Sequence, residues 1–264
     1  MVSSIKYKGN TITFRIKGHG KTIVLLHGFR ETSKMWSKFQ DALSNDYNVI
    51  SIDLPGFGKS GNIDSIHTME LMSEAVNKVL NSLEIKKCLL IGHSMGGYVA
   101  LSFAEQFASK VRGLVLFHSH ALPDTSEAKM NRNRTIKVVE SNHQNFIKNF
   151  IPALFTPANA ETYNAEMNKL INQAGKLNPE GIIAALEGMK MRAGKEHVLS
   201  NANFPVLFII GKEDPRISVE SILQQALLPK HSETLILSDT AHMGFIEARK
   251  KTIAAIKGMA DRVL

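Results

Sequence analysis

Three residues of this chain have types and placings that suit nucleophilic chemistry: Ser94, Asp214 and His242. Ser94 lies in GHSMGG, between an apolar run, KCLLIG, and a stretch, MGGYVALSFAEQF, that is apolar around most of a helical circumference. A Gly-x-Ser-x-Gly sequence at a strand-to-helix turn presents the serine hydroxyl on a strained backbone, because the glycines let strand and helix close on each other. On pattern alone a glycine-rich packing turn carries an incidental serine just as well. A packing turn, however, requires no base and acid further along. Asp214 follows the apolar run PVLFIIG, in KEDPRIS, and His242 follows TLILSD, in TAHMGF. In an open parallel sheet the loops beyond the strand C-termini share one edge, where residues remote in sequence converge. A serine hydroxyl is a poor nucleophile near neutral pH, so His242 is expected to take its proton and Asp214 to orient and stabilise the imidazolium.

Those side chains need a sheet to position them. Six apolar runs, TIVLLHG, YNVISIDLPG, KCLLIGHS, GLVLFHSH, PVLFIIG and TLILSD, are bounded by turn residues and separated by helical patterns. Near-continuous hydrophobicity implies strands buried on both faces of a mostly parallel sheet. At the N-terminus SIKYK and TITFRIK alternate polar and apolar residues around Gly9-Asn10, as an antiparallel edge hairpin does. The expected fold class is α/β, with eight strands. From Ala121 to Asn203 the texture is helical without a convincing strand. Within it NPEGIIAALEGMKMRAG has Asn178 as N-cap, Pro179 at the first helical position, a stripe of Ile182, Ile183, Leu186 and Met189, and Gly194 as terminator. We therefore expect a core of residues 1–120 and 204–264 with a helical cap, 121–203, inserted in it.

Composition narrows the function classes. The chain has 264 residues, 44% of them hydrophobic, enough for one large domain with an insertion. Its formal net charge of +8 comes from small scattered clusters, Lys86-Lys87, Arg132 and Arg134, and Arg249 to Lys251, without interleaved aromatics, which reads as a solvated basic surface and not a nucleic-acid site. No window approaches the roughly 20 apolar residues of a membrane span, and the polar first residues lead us to expect a cytoplasmic protein. The single cysteine, Cys88, cannot form an intrachain disulfide and sits in an apolar run, as an inert buried thiol would.

With the GHSMGG turn, the HGF segment and the order Ser, Asp, His, the chain resembles the α/β-hydrolase superfamily in its capped, fold-1 form. The resemblance covers roughly Lys21 to His120 and Phe204 to the C-terminus, while the insertion matches only in kind. It implies a sheet with nearly all strands parallel and an oxyanion hole built from the backbone N–H groups of Met95 and Phe29. Some hydrolases place the acid after the preceding strand, which makes Asp124 in ALPD the rival; Asp214 is preferred because it closes a Gly-x-x-Asp sequence from Gly211. DLPGFGKS ends like a phosphate loop, but Asp53 stands where that motif needs glycine. His118 and His120 fall on one strand face with no third ligand nearby, so no metal is expected and His120 is assigned to the substrate pocket. Arg30, Phe155 and Met189 are further pocket candidates, and His27 and His93 are assigned to local hydrogen bonding.

These expectations converge on a serine hydrolase that cleaves a small carboxylic ester through an acyl-enzyme, without a cofactor. Its partner is a small ester-like molecule. Epoxide hydrolases and haloalkane dehalogenases share the architecture but use a carboxylate nucleophile where this chain has Ser94, and the insertion contains only Tyr163. Hydrolysis of lactones or of carbon-carbon bonds, and perhydrolysis, use the same triad and stay open. A ligand-binding receptor on the same fold is the alternative of another class, although such receptors often lose a triad member or an oxyanion glycine. The sequence specifies no oligomeric state.

Overall fold

The computed structural model describes residues 1–264 apart from the side chains of His143 and Asn145. Its strands are β1 (Val2–Tyr7), β2 (Asn10–Lys17), β3 (Thr22–Leu26), β4 (Asn48–Ile52), β5 (Cys88–His93), β6 (Val111–Phe117), β7 (Val206–Gly211) and β8 (Ser232–Leu237). They form one sheet in the order β1-β2-β4-β3-β5-β6-β7-β8. β1 pairs antiparallel with β2, and β2 with β4; every other neighbour pair is parallel. The hairpin turns through Lys8 and Gly9, both at positive φ, one residue earlier than expected, because Asn10 already pairs with Tyr7. The central strands β3, β5 and β7 are buried along their whole length, the physical reason for their unbroken apolar sequences.

The helices are α1 (Ser37–Leu43), α2 (Met69–Ser82), α3 (Met95–Gln106), α4 (Ser126–Phe150), α5 (Pro157–Thr162), α6 (Asn164–Ala174), α7 (Pro179–Met191), α8 (Glu196–Ser200), α9 (Val219–Ala226), α10 (Gly244–Glu247) and α11 (Arg249–Val263). No helix among the described residues is long and apolar enough to cross a membrane. The strand order places β3, β5 and β6 side by side, so the loops after them meet at one edge of the sheet. Beneath that edge Trp36 and Phe39, both without solvent exposure, meet edge to face at 5.1 Å, and Phe117 and Phe245 close the cluster. Each such buried ring contributes about 1.5–3 kcal/mol relative to leaving it exposed. Cys88 is buried and desolvation pushes its thiol up to about 12, so it stays protonated and unreactive at neutral pH.

Between β6 and β7 the chain forms α4 to α8. α4 breaks at Asn142, whose φ of −157° and ψ of 74° are non-helical. α7 begins as its sequence predicts, with the Asn178 side chain accepting from the Glu180 N–H and Pro179 at the first position. It ends at Met191, ahead of Gly194, and Met191 faces solvent while Ile182, Leu186 and Met189 are buried. α7 lies directly on the core: a Cβ at Gly188 would stand 1.8 Å from the His67 carbonyl oxygen, and the His67 N–H donates to the Ala184 carbonyl at 2.9 Å. The His242 N–H donates to the Leu154 carbonyl at 2.9 Å, a second contact between the core and the segment that joins β6 to β7.

Candidate active site

Ser94 occupies the turn from β5 into α3, with φ of 50° and ψ of −117°. A non-glycine residue at positive φ is costly, by about 1–3 kcal/mol, and persists only where its surroundings over-determine it. Here the Ser94 N–H donates to the Phe117 carbonyl at 2.9 Å, and the Ser94 carbonyl accepts from Ser119 Oγ at 2.8 Å and the Gly97 N–H at 2.9 Å. Gly96 permits the packing, since a Cβ there would lie 2.5 Å from the Leu26 carbonyl oxygen.

His242 Nδ1 is 2.8 Å from Asp214 Oδ2. The carboxylate can only accept, so Nδ1 carries a proton, and in the tautomer this fixes Nε2 is the nitrogen left to act as a base. Asp214 Oδ1 accepts from the backbone N–H groups of Arg216, at 2.8 Å, and Ile217, at 3.2 Å. His118, after β6, donates its own Nδ1–H to Asp214 Oδ2 at 2.9 Å. Burial opposes ionisation of Asp214, but His242 and His118 outweigh it and hold the carboxyl well below the usual range. The three ligand atoms of His118, Asp214 and His242 lie within 4.8 Å of one another, and hydrogen bonding to a shared oxygen accounts for that spacing. Asp124, the rival acid, is bound instead by Arg132 and Arg192. Ser94 and His242 line one cavity without a direct hydrogen bond between them, a contact that commonly tightens only around substrate.

The loop after β3 carries Phe29. Neither its N–H nor that of Met95, at the start of α3, has an acceptor among the described residues, as expected of donors kept for a ligand. Glu31 braces this loop: Oε2 accepts from the Gly28 N–H at 2.7 Å and from His93 Nδ1 at 3.0 Å. His93 Nε2 faces the His242 carbonyl oxygen at 3.1 Å. Both ring nitrogens thus meet acceptors, which requires the doubly protonated imidazolium. Desolvation alone would lower His93, but the Glu31 charge and hydrogen bond outweigh it and raise it above its ordinary value. The buried pair ties the residue before Ser94 to the loop bearing Phe29 and to the backbone of His242. His27 is neutral by the same test, its Nε2 accepting from the Leu54 N–H at 3.0 Å and its Nδ1 donating to the Gly28 carbonyl at 2.8 Å.

A cavity of about 570 Å³ opens at these groups, within the range of small-molecule sites. It is lined by Ser94, Phe29, His120, Met189 and His242 among the residues singled out from sequence. Phe155 is instead a core residue, and Arg30 lies behind the wall, 3% exposed, under the rings of Phe146, Phe29 and Phe150. His118 and Glu31 are neighbours of the candidate site that no sequence pattern singles out. The spacing of His118 and His120 suggests only metal ligation, and nothing local signals that Glu31 reaches His93.

Buried histidines give a pH dependence. Burial pushes His67, His118 and His120 each down to about 4 from an ordinary 6.5. Below pH 6.5 the unfolded chain binds protons that the fold refuses, so stability falls as the pH drops towards 4, by about 1.4 kcal/mol per pH unit for each such group at most. His93 has the opposite sign, its contribution being complete below 6.5 and lost as pH rises through its elevated value. Urea midpoints should therefore drop from pH 6.5 to 4.5, and less steeply in His67→Gln. A midpoint flat across that interval would contradict the assignment.

Taken together, the wound sheet, the serine turn and the His-Asp pair define an α/β-hydrolase. A family model described as the alpha/beta hydrolase fold matches residues 21–249, and the chain belongs to that family. It is similar to a thermophilic esterase from Thermogutta terrifontis, at 29% identity and TM-score 0.94, covering 100% of this chain and 99% of that one. An enol-lactonase from Burkholderia xenovorans LB400 shares the fold, at 20% identity and TM-score 0.91 over 98% of this chain and 100% of that one. An uncharacterised Mycobacterium tuberculosis protein is 35% identical over 103 residues, 39% of this chain, and the match spans only 30% of that relative's length.

Proposed function

We propose that the protein is a serine hydrolase cleaving a small carboxylic ester, with Ser94 as nucleophile, His242 as general base and Asp214 as the acid that orients it. The observation that carries this reading is the His242–Asp214 hydrogen bond of 2.8 Å at a cavity that Ser94 also lines. Ser94 Oγ attacks the ester carbonyl carbon as its proton passes to His242 Nε2. Negative charge then gathers on the carbonyl oxygen, where the N–H groups of Phe29 and Met95 stabilise it. Losing one such donor typically costs about 3–4 kcal/mol. Collapse expels the alcohol, which takes the proton from His242, and leaves an acyl group on Ser94. Water, deprotonated by the same imidazole, attacks that acyl group and restores the serine. Asp214 keeps its charge throughout, in keeping with its depressed proton affinity. The helices between β6 and β7 act in this scheme as a cap that walls the cavity through Met189 and Phe150. The esterase relative supports ester cleavage in particular.

The test is covalent labelling by a fluorophosphonate, followed by peptide mapping. A single adduct on Ser94, together with release of alcohol from short acyl esters, supports the reading. A folded protein that neither labels nor turns over any ester would instead be a binding module.

A further inference from the structure

We infer that the ester taken by this site carries a carboxylate, held by Arg216 with Arg134 at the cavity. The inference rests on the serine-hydrolase reading and concerns its substrate class.

The argument is one of unbalanced charge. Arg132, Arg134 and Arg216 line the cavity, and the acids that line it are Glu31 and Asp124. Both acids are already engaged, Glu31 by His93 and the Gly28 N–H, and Asp124 by Arg132 and Arg192 together. Asp214 is likewise saturated by two imidazoles and two backbone N–H groups. Arg134 and Arg216, both exposed to solvent, pair with no carboxylate among the described residues. Arg134 donates only to the neutral Asn131 Oδ1, at 3.1 Å, and the Arg216 guanidinium rests 5.5 Å from the centroid of Phe150.

Behind the wall the imbalance deepens. The Arg30 guanidinium lies 5.0 Å from the same Phe150 centroid and 3.8 Å from that of Phe146, and none of its three nitrogens has an acceptor. Desolvation pushes this group down to about 9, a sign of how poorly its charge is compensated. Arg30 and Arg216 thus both stand against the Phe150 ring, and an anion in the cavity beside Arg216 meets a wall of uncompensated positive charge. Low-dielectric walls focus such a field on the cavity. Arg216 is also well placed to act on a substrate, because its own backbone N–H is fixed on Asp214 Oδ1, which ties it to the acid that holds the base. A planar guanidinium matches a carboxylate fork by fork.

The experiment compares a neutral ester, methyl pentanoate, with two carboxylate-bearing esters of similar size. Monomethyl succinate carries the charge on its acyl half and O-acetyl-lactate on its alcohol half. We expect kcat/KM for at least one anionic ester to exceed that of the neutral one by roughly ten- to a hundredfold, the scale of a charge-assisted hydrogen bond. The ratio should fall in Arg216→Gln, partly recover in Arg216→Lys, and shrink as salt is raised. Glutarate should bind the Ser94→Ala protein, and about tenfold more weakly once Arg216→Gln is added. Equal rates on charged and neutral esters would overturn the substrate class while leaving the hydrolase reading in place. Glutarate binding without turnover of any ester would overturn the hydrolase reading and the substrate claim with it.

Discussion

Ser94→Ala should lower kcat for ester hydrolysis by a factor on the order of 10^4 to 10^6, leaving only what the two N–H donors and substrate binding supply. The oxygen removed is the one that would form the acyl bond, and the other hydroxyls lining the cavity, those of Tyr98 and Thr135, make no hydrogen bond to His242 among the described residues. The fold should be indifferent to the change, because Ala keeps the Cβ and the backbone bonds to Phe117, Ser119 and Gly97 do not involve the hydroxyl. Stability within about 0.5 kcal/mol of the parent is expected. Ser94→Gly should be equally inactive yet more stable by about 1 kcal/mol, since glycine releases the strain at φ of 50°. Steady-state kinetics and urea unfolding of both variants decide the matter. Retained turnover in Ser94→Ala would remove the nucleophile from the mechanism.

Asp214→Asn should cost about 10^3- to 10^4-fold in kcat. Its two oxygens accept four N–H groups, from His118 and His242 on one side and from Arg216 and Ile217 on the other. An amide in either orientation turns its NH2 towards donors. If it faces the imidazoles, His242 must abandon its Nδ1–H tautomer, and Nε2 then carries a proton and cannot take another. If it faces the backbone, the N–H groups of Arg216 and Ile217 lose their acceptor. A stability loss of about 1–3 kcal/mol should accompany the kinetic one. Ser94→Ala combined with Asp214→Asn should be no slower than Ser94→Ala alone, because the residues act as a unit. Asp124→Asn is the control: it loosens Arg132 and Arg192 but touches no imidazole, so it should spare most of kcat. A larger kinetic loss there than at Asp214 would reverse the choice of acid.

Periodicity and punctuation sufficed for the scaffold. Strands buried on both faces need unbroken apolar sequence, so β3, β5 and β7 announce themselves, and the alternation of β1 and β2 marks a half-exposed edge. The cap of α7 was equally local, because an Asn side chain and a Pro ring act within one turn of their own backbone. Ser94 was legible because its strained turn demands glycines immediately around it. Asp214 and His242 were legible because each directly follows a strand, and parallel topology sends such loops to one edge.

Other features belong to no local pattern. Lys8 could replace Asn10 in the hairpin turn because register, set by side chains across the pair, decides which residues remain unpaired. Phe155 and Met189 have similar apolar character and are both buried, yet only Met189 lines the cavity, a difference set by how helices pack. The Glu31–His93 pair joins residues 62 apart in sequence and the His118–Asp214 bond residues 96 apart. A hydrogen bond acts over about 3 Å, and only the folded chain brings such partners that close. The sequence by itself determined the class of sheet and marked Ser94, Asp214 and His242 as the candidates for its chemistry. Tertiary structure alone decided which charges are compensated, and therefore that Arg216 and Arg134 are left without a carboxylate.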